Sequence, residues 1–305
     1  MPAELNAPVR SLKMLELQIR AGATEVHVGL RSKESVSFDA LPANRDGEPT
    51  QVSPGLLAEL VTVAHEGGLR VHFCADTPVV RPDDESAYRE HVARALDAGV
   101  DTVVVGSLPA CAWFPEVSIV AGGELGVSTL GFAEHLRDVY GVRRVVVPHT
   151  LTLGEVAAFC RLDGLEIETP VQTGAGLDCT RCRLADTPGI GLGCRAGYAD
   201  GAGVDLGGFL DGASDCALCD VPALAGIGVT ALRIPGRESP NERQNAKITQ
   251  MYRRALRGHA AGVPITEVIE QIDRVELMWQ MGWLPRLCDQ RRCRFQDTPQ
   301  QRAFV

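Results

Sequence analysis

No stretch of 18 apolar residues occurs anywhere in the chain, so no segment reads as a membrane-spanning helix. The first residues, Met1-Pro2-Ala3-Glu4, lack the basic region and apolar core of an export signal, and a cytoplasmic location is expected. An excess of positive charge is missing too. The 39 acidic residues outnumber the 30 basic ones, for a formal charge of −9. A field of that sign repels phosphate backbones, which disfavours nucleic acid as a partner and favours a small-molecule substrate. The densest basic run, Arg286 to Arg294, lies near the C-terminus. Also absent is Gly-x-Gly-x-x-Gly after an early strand, the mark of a dinucleotide-binding open sheet. The first strand candidate leads into Ala7-Pro8-Val9-Arg10, the second into Gly29-Leu30-Arg31. No nucleophile–base pattern of a hydrolase is legible around Ser128-Thr129 or His149.

What is present is a repeat. Five helix-like stretches end at glycine and pass into a β-branched run: Gly22 to Val28, Gly67 to Phe73, Gly99 to Val105, Gly141 to Val147 and Gly228 to Ile234. Glycine closes a helix in the left-handed region, and valine-rich runs suit strands. Apolar positions ahead of the glycines have helical spacing, as in Leu57, Leu60, Val61 and Ala64 or Tyr88, His91, Val92 and Leu96. With Glu4 to Ala7, Ser118 to Val120 and Leu165 to Glu168 the strand candidates number eight. The expected fold is an α/β (β/α)8 TIM-like barrel, preferred over an open doubly wound sheet. Residues 1–260 form the expected barrel, including a cysteine-rich insertion over 169–220. Residues 261–305 would be a C-terminal helix and polar tail.

The insertion breaks the repeat. From Thr169 to Gly212 the sequence is rich in glycine, aspartate and cysteine, and so long an irregular stretch requires a function or a staple. Ten cysteines in a reducing compartment do not suggest disulfides. Cys179-Thr180-Arg181-Cys182 is followed by Cys194 and by Cys216-Ala217-Leu218-Cys219. Sulfurs two residues apart can face one metal, and ligation would supply the energy to order the loop. Cys179, Cys182 and Cys194 are the candidate ligands, with either Cys216 or Cys219 as the fourth. Zinc and a [4Fe–4S] cluster remain alternatives at this level, as does a redox dithiol. Cys74, Cys111 and Cys160 read as core residues, and Cys288 and Cys293 stand in the tail.

Several other residues carry expectations. His149 follows the strand Val145 to Val147, at the end where barrels place chemistry, and His72 lies near a strand's end; both are candidate acid–base groups. Glu166 and Glu168 alternate with apolar neighbours on a strand covered on both faces, so Glu168 is a candidate catalytic group and Glu166 a candidate substrate contact. Arg237 and Arg10, just beyond the last and first strands, are candidate anion contacts.

The order of Ala7-Pro8, Gly22-Ala23-Thr24-Glu25-Val26-His27-Val28-Gly29, Ala64-His65-Glu66-Gly67-Gly68, Val127-Ser128-Thr129, Gly141 to Val147, Leu153-Gly154-Glu155 and Leu232-Arg233-Ile234-Pro235-Gly236-Arg237 resembles the family called peptidase U32, from about Glu4 to Arg257. That family includes iron–sulfur proteins of oxygen-independent ubiquinone hydroxylation and hydroxylases of bacterial transfer and ribosomal RNA. The resemblance implies a barrel-type α/β fold, a [4Fe–4S] cluster on four cysteines and a prephenate-like oxygen donor. It places Cys194-Arg195 and Asp215-Cys216-Ala217-Leu218 at ligand motifs, which prefers Cys216 over Cys219. Cys179 and Cys182 stand closer together than the family's first two cysteines. Val171-Gln172-Thr173-Gly174 replaces its His-Gly, His149-Thr150-Leu151 its Arg-Glu-Leu, and Pro235 its late glutamate. The expected activity is an iron–sulfur-dependent, oxygen-independent hydroxylation or related redox transfer on a small organic substrate. The alternative is a non-catalytic electron-transfer or partner subunit, and an oligomer or external electron donor fits both.

Overall fold

A computed structural model describes residues 3–31, 38–40, 48–172, 216–237 and 241–272, with short pieces at 44–45, 198–199, 201–203, 205–207 and 294–295. Its centre is a closed barrel of eight parallel strands. They are β1 Glu4–Pro8, β2 Glu25–Gly29, β3 Arg70–Ala75, β4 Thr102–Val105, β5 Ile119–Ala121, β6 Arg144–Val146, β7 Glu166–Pro170 and β8 Ala231–Arg233. Each strand pairs with its chain neighbour in the barrel, and β1 closes the ring against β8 through Glu4, Leu5 and Asn6 beside Ala231, Leu232 and Arg233. Helices cover the outside: α1 Leu12–Ala21, α2 Pro54–Glu66, α3 Glu85–Asp97, α4 Leu108–Ala112, α5 Leu130–Tyr140, α6 Leu153–Phe159, α7 Val221–Gly226, α8 Glu242–Ala260 and α9 Ile265–Glu270.

The helix–glycine–strand units form for the local reasons the sequence announces. Ser11 caps α1 by accepting the Met14 amide at 3.0 Å, and Gly22 ends it in the left-handed region at φ 90°. Thr152 and Glu155 make a reciprocal capping box on α6. The predicted face of α2, Leu57, Leu60, Val61 and Ala64, is the buried one. On α3, Tyr88, His91 and Val92 are buried with Ala95, whereas Leu96 is only partly covered.

Strand parity sorts the interior. Val71, Phe73, Val103, Ile119, Val145 and Ile167 point outward and join the helices in the main core. Cys74, Val104, Val120 and Val146 form a separate small apolar cluster inside the barrel. Strand β7 runs further than expected. Thr169 and Pro170 stay in β7 because they lie in register with Leu232 and Arg233, and Gln172 then bridges back to Cys216.

Candidate functional site

Below the small apolar cluster, the barrel interior is charged. Glu25 on β2 is fully buried and receives Arg144 from β6 through two bonds of 2.6 and 3.0 Å, with Arg70 as a further partner. Arg144 also donates to Glu166 at 2.7 Å and to Glu168 at 3.3 Å. Glu168, fully buried on β7, accepts Arg233 at 3.1 Å and Asn6 at 2.9 Å. Burial alone would raise the pKa values of Glu25 and Glu168. The close approach of His72 and the hydrogen bonds of Arg144 hold Glu25 well below the usual carboxylate range, and the charges of Arg233 and Arg144 lower Glu168. Burial likewise opposes the charge on Arg144 and Arg233, and their carboxylate partners override it and raise both pKa values.

Two histidines complete this layer. His27 Nδ1 is 3.0 Å from Asn6 Oδ1, and burial depresses its pKa well below the ordinary value, so the ring is neutral. His72 Nδ1 is 2.6 Å from Thr102 Oγ1, while its Nε2 lies 3.2 Å from Glu25. Arg233 then reaches upward, its second guanidinium nitrogen 3.8 Å from Cys74 Sγ. Burial pushes the Cys74 thiol up to about 12, so it is not a thiolate at neutral pH.

The C-terminal mouth is crossed by residues 38–40. Phe38 packs against Tyr88 and His91, with ring centroids 5.3 Å from each. Asp39 takes both arms of Arg237 at 2.6 and 2.8 Å, and both side chains are buried. The Ala40 amide donates to Asp76 Oδ1 at 2.9 Å, and the Thr77 amide to the Phe38 carbonyl at 3.0 Å. Glycine makes room for this arrangement: a Cβ on Gly29 would run into Asp39 and Arg237, and one on Gly106 into the Asp76 carbonyl.

At the rim beyond β7, Cys216 is buried and its sulfur accepts the Leu218 amide at 3.4 Å. The Ala217 amide donates to the Val171 carbonyl at 3.0 Å and to Tyr252 Oη at 3.1 Å. Tyr252 itself donates to the Val171 carbonyl and contacts Gln172 Oε1 at 3.1 Å. Arg294 binds across this rim, its amide to the Cys216 carbonyl at 3.2 Å and its Nε to the His149 carbonyl at 3.3 Å.

The residues singled out from the sequence therefore separate. Glu168 and His72 are interior, in the network with Glu25 and Arg144. Glu166 lies at the opposite, N-terminal mouth with a half-exposed side chain held by Arg144, beside a cavity of about 690 Å³ lined also by Glu4, Arg70 and Thr230. Arg237, Arg10, His149 and Cys216 lie around the C-terminal mouth, Arg10 buried just past β1 and His149 half-buried past β6. The fork of Arg237 is filled by Asp39. Cys219 is half-buried in the turn after Cys216. Cys179, Cys182, Cys194, Cys288 and Cys293 fall outside the described residues, and among the described residues no group of three or more metal-ligating side chains converges. Sequence reasoning missed Glu25, Arg144 and Arg233 as one network, and Asp39, Asp76, Tyr252 and Arg294 at the mouth. Alternation held a signal for the first three, since Glu25, Arg144 and Arg233 share the inward parity of their strands.

An eight-stranded parallel barrel with a charged interior and a cysteine-bearing rim defines the class of protein. The model of peptidase family U32 matches residues 10–180, more than half of the chain, and the protein belongs to that family. No curated protein matches it. Among solved structures, the U32 peptidase Mk0906 is 16% identical with a TM-score of 0.49, covering 77% of this chain and 93% of its own. The putative copper homeostasis protein CutC from Streptococcus agalactiae is 15% identical at TM-score 0.46, covering 77% and 98%. The Rubisco of Pyrococcus horikoshii is 11% identical at TM-score 0.51, covering 92% and 64%, a likeness of fold alone.

Proposed function

We propose that this chain is an iron–sulfur-dependent enzyme that performs an oxygen-independent hydroxylation, or a related redox transfer, on a small organic molecule with a prephenate-like carboxylate as oxygen donor. The observation that carries the reading is Cys216. It is fastened against the C-terminal mouth by the Ala217–Val171 bond and by Tyr252, and its sulfur already accepts a backbone N–H as a ligating thiolate does. Burial pushes the Cys216 thiol up to about 12, so its sulfur would be a thiolate only where a bound metal takes the place of the proton. Cys179, Cys182 and Cys194 would join Cys216 in holding a [4Fe–4S] cluster, with Cys219 as the alternative fourth ligand and zinc as the alternative metal. Such a cluster supplies electron transfer and, where an iron is open, Lewis acidity.

The chain's own residues do the rest. Glu168 holds Arg233 through one nitrogen and the other donates only a weak bond to Cys74 Sγ, which a carboxylate entering from the mouth would replace. Asp39 orients Arg237 at the edge of the same opening, and Arg10 and His149 stand on its rim. His72 and Glu168 act from below by fixing Glu25, Arg144 and Arg233. The filled fork of Arg237 favours a second reading, a non-catalytic electron-transfer or partner subunit that binds no small carboxylate.

Anaerobic iron and sulfide analysis of the wild type beside Cys179→Ala, Cys194→Ala, Cys216→Ala and Cys219→Ala tests the cofactor. About four irons per chain are expected, with loss of most iron in the first three variants. One zinc per chain, or a full complement in every variant, overturns the assignment. Retention of prephenate by the wild type and its loss in Arg233→Ala would separate the enzyme from the partner subunit.

A further inference from the structure

We propose that Asp76 is the proton carrier of the C-terminal mouth, holding a neutral carboxylic acid that donates its proton, or a hydrogen bond, to an oxygen atom of a bound carboxylate ligand. This rests on the reading that ligand enters at that mouth. Asp76 follows β3 directly, at the strand end where barrels place chemistry, and its side chain is almost fully buried. One oxygen, Oδ1, is anchored by the Ala40 amide at 2.9 Å. The other, Oδ2, makes no hydrogen bond or ion pair among the described residues and keeps the residue's small share of exposure, which leaves it open to a ligand.

The surroundings favour the neutral form. Asp39 bears the nearest like charge, and both arms of Arg237 are already spent on it. Arg233 faces Asp76 from β8 but is committed to Glu168 through one nitrogen. Cys74 on β3 and Tyr88 on α3 are the other titratable neighbours, and both are held neutral by burial. Burial first, and Asp39 second, raise the pKa of Asp76 from its ordinary value. Gly106 and Gly122 pack against its backbone and Cβ, which pins the carboxyl in this slot. When Asp76 gives up its proton to a ligand oxyanion, the new carboxylate lies within the field of Arg233 and Arg237, no electrons move, and solvent returns the proton after release.

Two measurements test this. Infrared difference spectroscopy of wild type against Asp76→Asn at pH 7 reads the carbonyl band of a neutral carboxylic acid without needing any ligand or metal. The band is expected in the wild type and absent from the variant; no such band assignable to Asp76 overturns the inference. Prephenate binding, measured calorimetrically, is expected to weaken about tenfold per pH unit above the pKa of Asp76 in the wild type and to lose that dependence in Asp76→Asn. A pH dependence identical in both proteins overturns the donor role. The infrared band without any prephenate binding supports Asp76 as the proton carrier and refutes instead the oxygen donor named under the proposed function.

Discussion

Replacing Arg144 by methionine removes the one cation shared by Glu25, Glu166 and Glu168, and the cost follows from what remains. Breaking a buried ion pair by deleting one partner typically costs roughly 3–5 kcal/mol, because the other charge stays buried. Here Glu25 keeps His72 and Arg70, and Glu168 keeps Arg233 and Asn6. The lower end of that range, about 3 kcal/mol, is therefore expected. At about 2.1 cal/mol/K per residue, a chain of 305 residues has an unfolding entropy of about 0.6 kcal/mol/K, so Tm at pH 7 should fall by about 5 °C. The effect has a definite pH dependence. The folded pKa values of Glu25 and Glu168 are lowered, so their stabilisation is present above the unfolded carboxylate range and is lost as pH falls through the folded values. In Arg144→Met both folded values rise, so the gap between variant and wild type narrows on acidification to pH 4. Thermal melts followed by circular dichroism at the two pH values measure this, and adding Glu25→Gln to Arg144→Met should recover part of the loss. A melt within 1 °C of wild type at pH 7, or a gap that widens toward pH 4, would refute the network as the source of the stability.

Two further substitutions probe the elements around the mouth. Tyr252→Phe leaves Gln172 Oε1 without its partner in a buried site, while the Ala217 amide keeps the Val171 carbonyl, so it should lower stability by about 1 kcal/mol in urea titrations and reduce the iron retained by anaerobically purified protein. Unchanged stability would show that Tyr252 does not fasten the Cys216 segment. His91 sits between Phe38 and Phe73 with neither ring nitrogen hydrogen-bonded, and burial lowers its pKa to about 4. Because the folded state resists protonating it, stability should fall by on the order of 3 kcal/mol as pH drops from 6.5 toward 4. His91→Phe should remove that share of the acid lability, read from urea midpoints across the pH range; an unaltered pH profile would sink the account.

The parallel barrel was readable in the chain because its causes are local. Gly22, Gly99, Gly141 and Gly228 each adopt a positive φ at the end of a helical stretch, and the β-branched run after each becomes a barrel strand. Eight strand candidates and eight barrel strands agree, with boundary shifts of a residue or two where register rather than composition decides, as at Thr169 and Pro170. Inward parity was equally legible, which is why Glu166 and Glu168 stood out as charges on a strand covered on both faces. Partner choice was not. Arg144 meets Glu25 across 119 residues and Arg237 meets Asp39 across 198, pairings that exist only once the ring closes and brings distant strand ends together. An isolated Arg-Ile-Pro-Gly-Arg motif shows two cations near a strand's end. Only closure of the barrel decides that Arg237 is locked by Asp39 while Arg233 turns into the interior between Glu168 and the Cys74 sulfur, because each charge in a low-dielectric interior takes the partner that geometry places within reach.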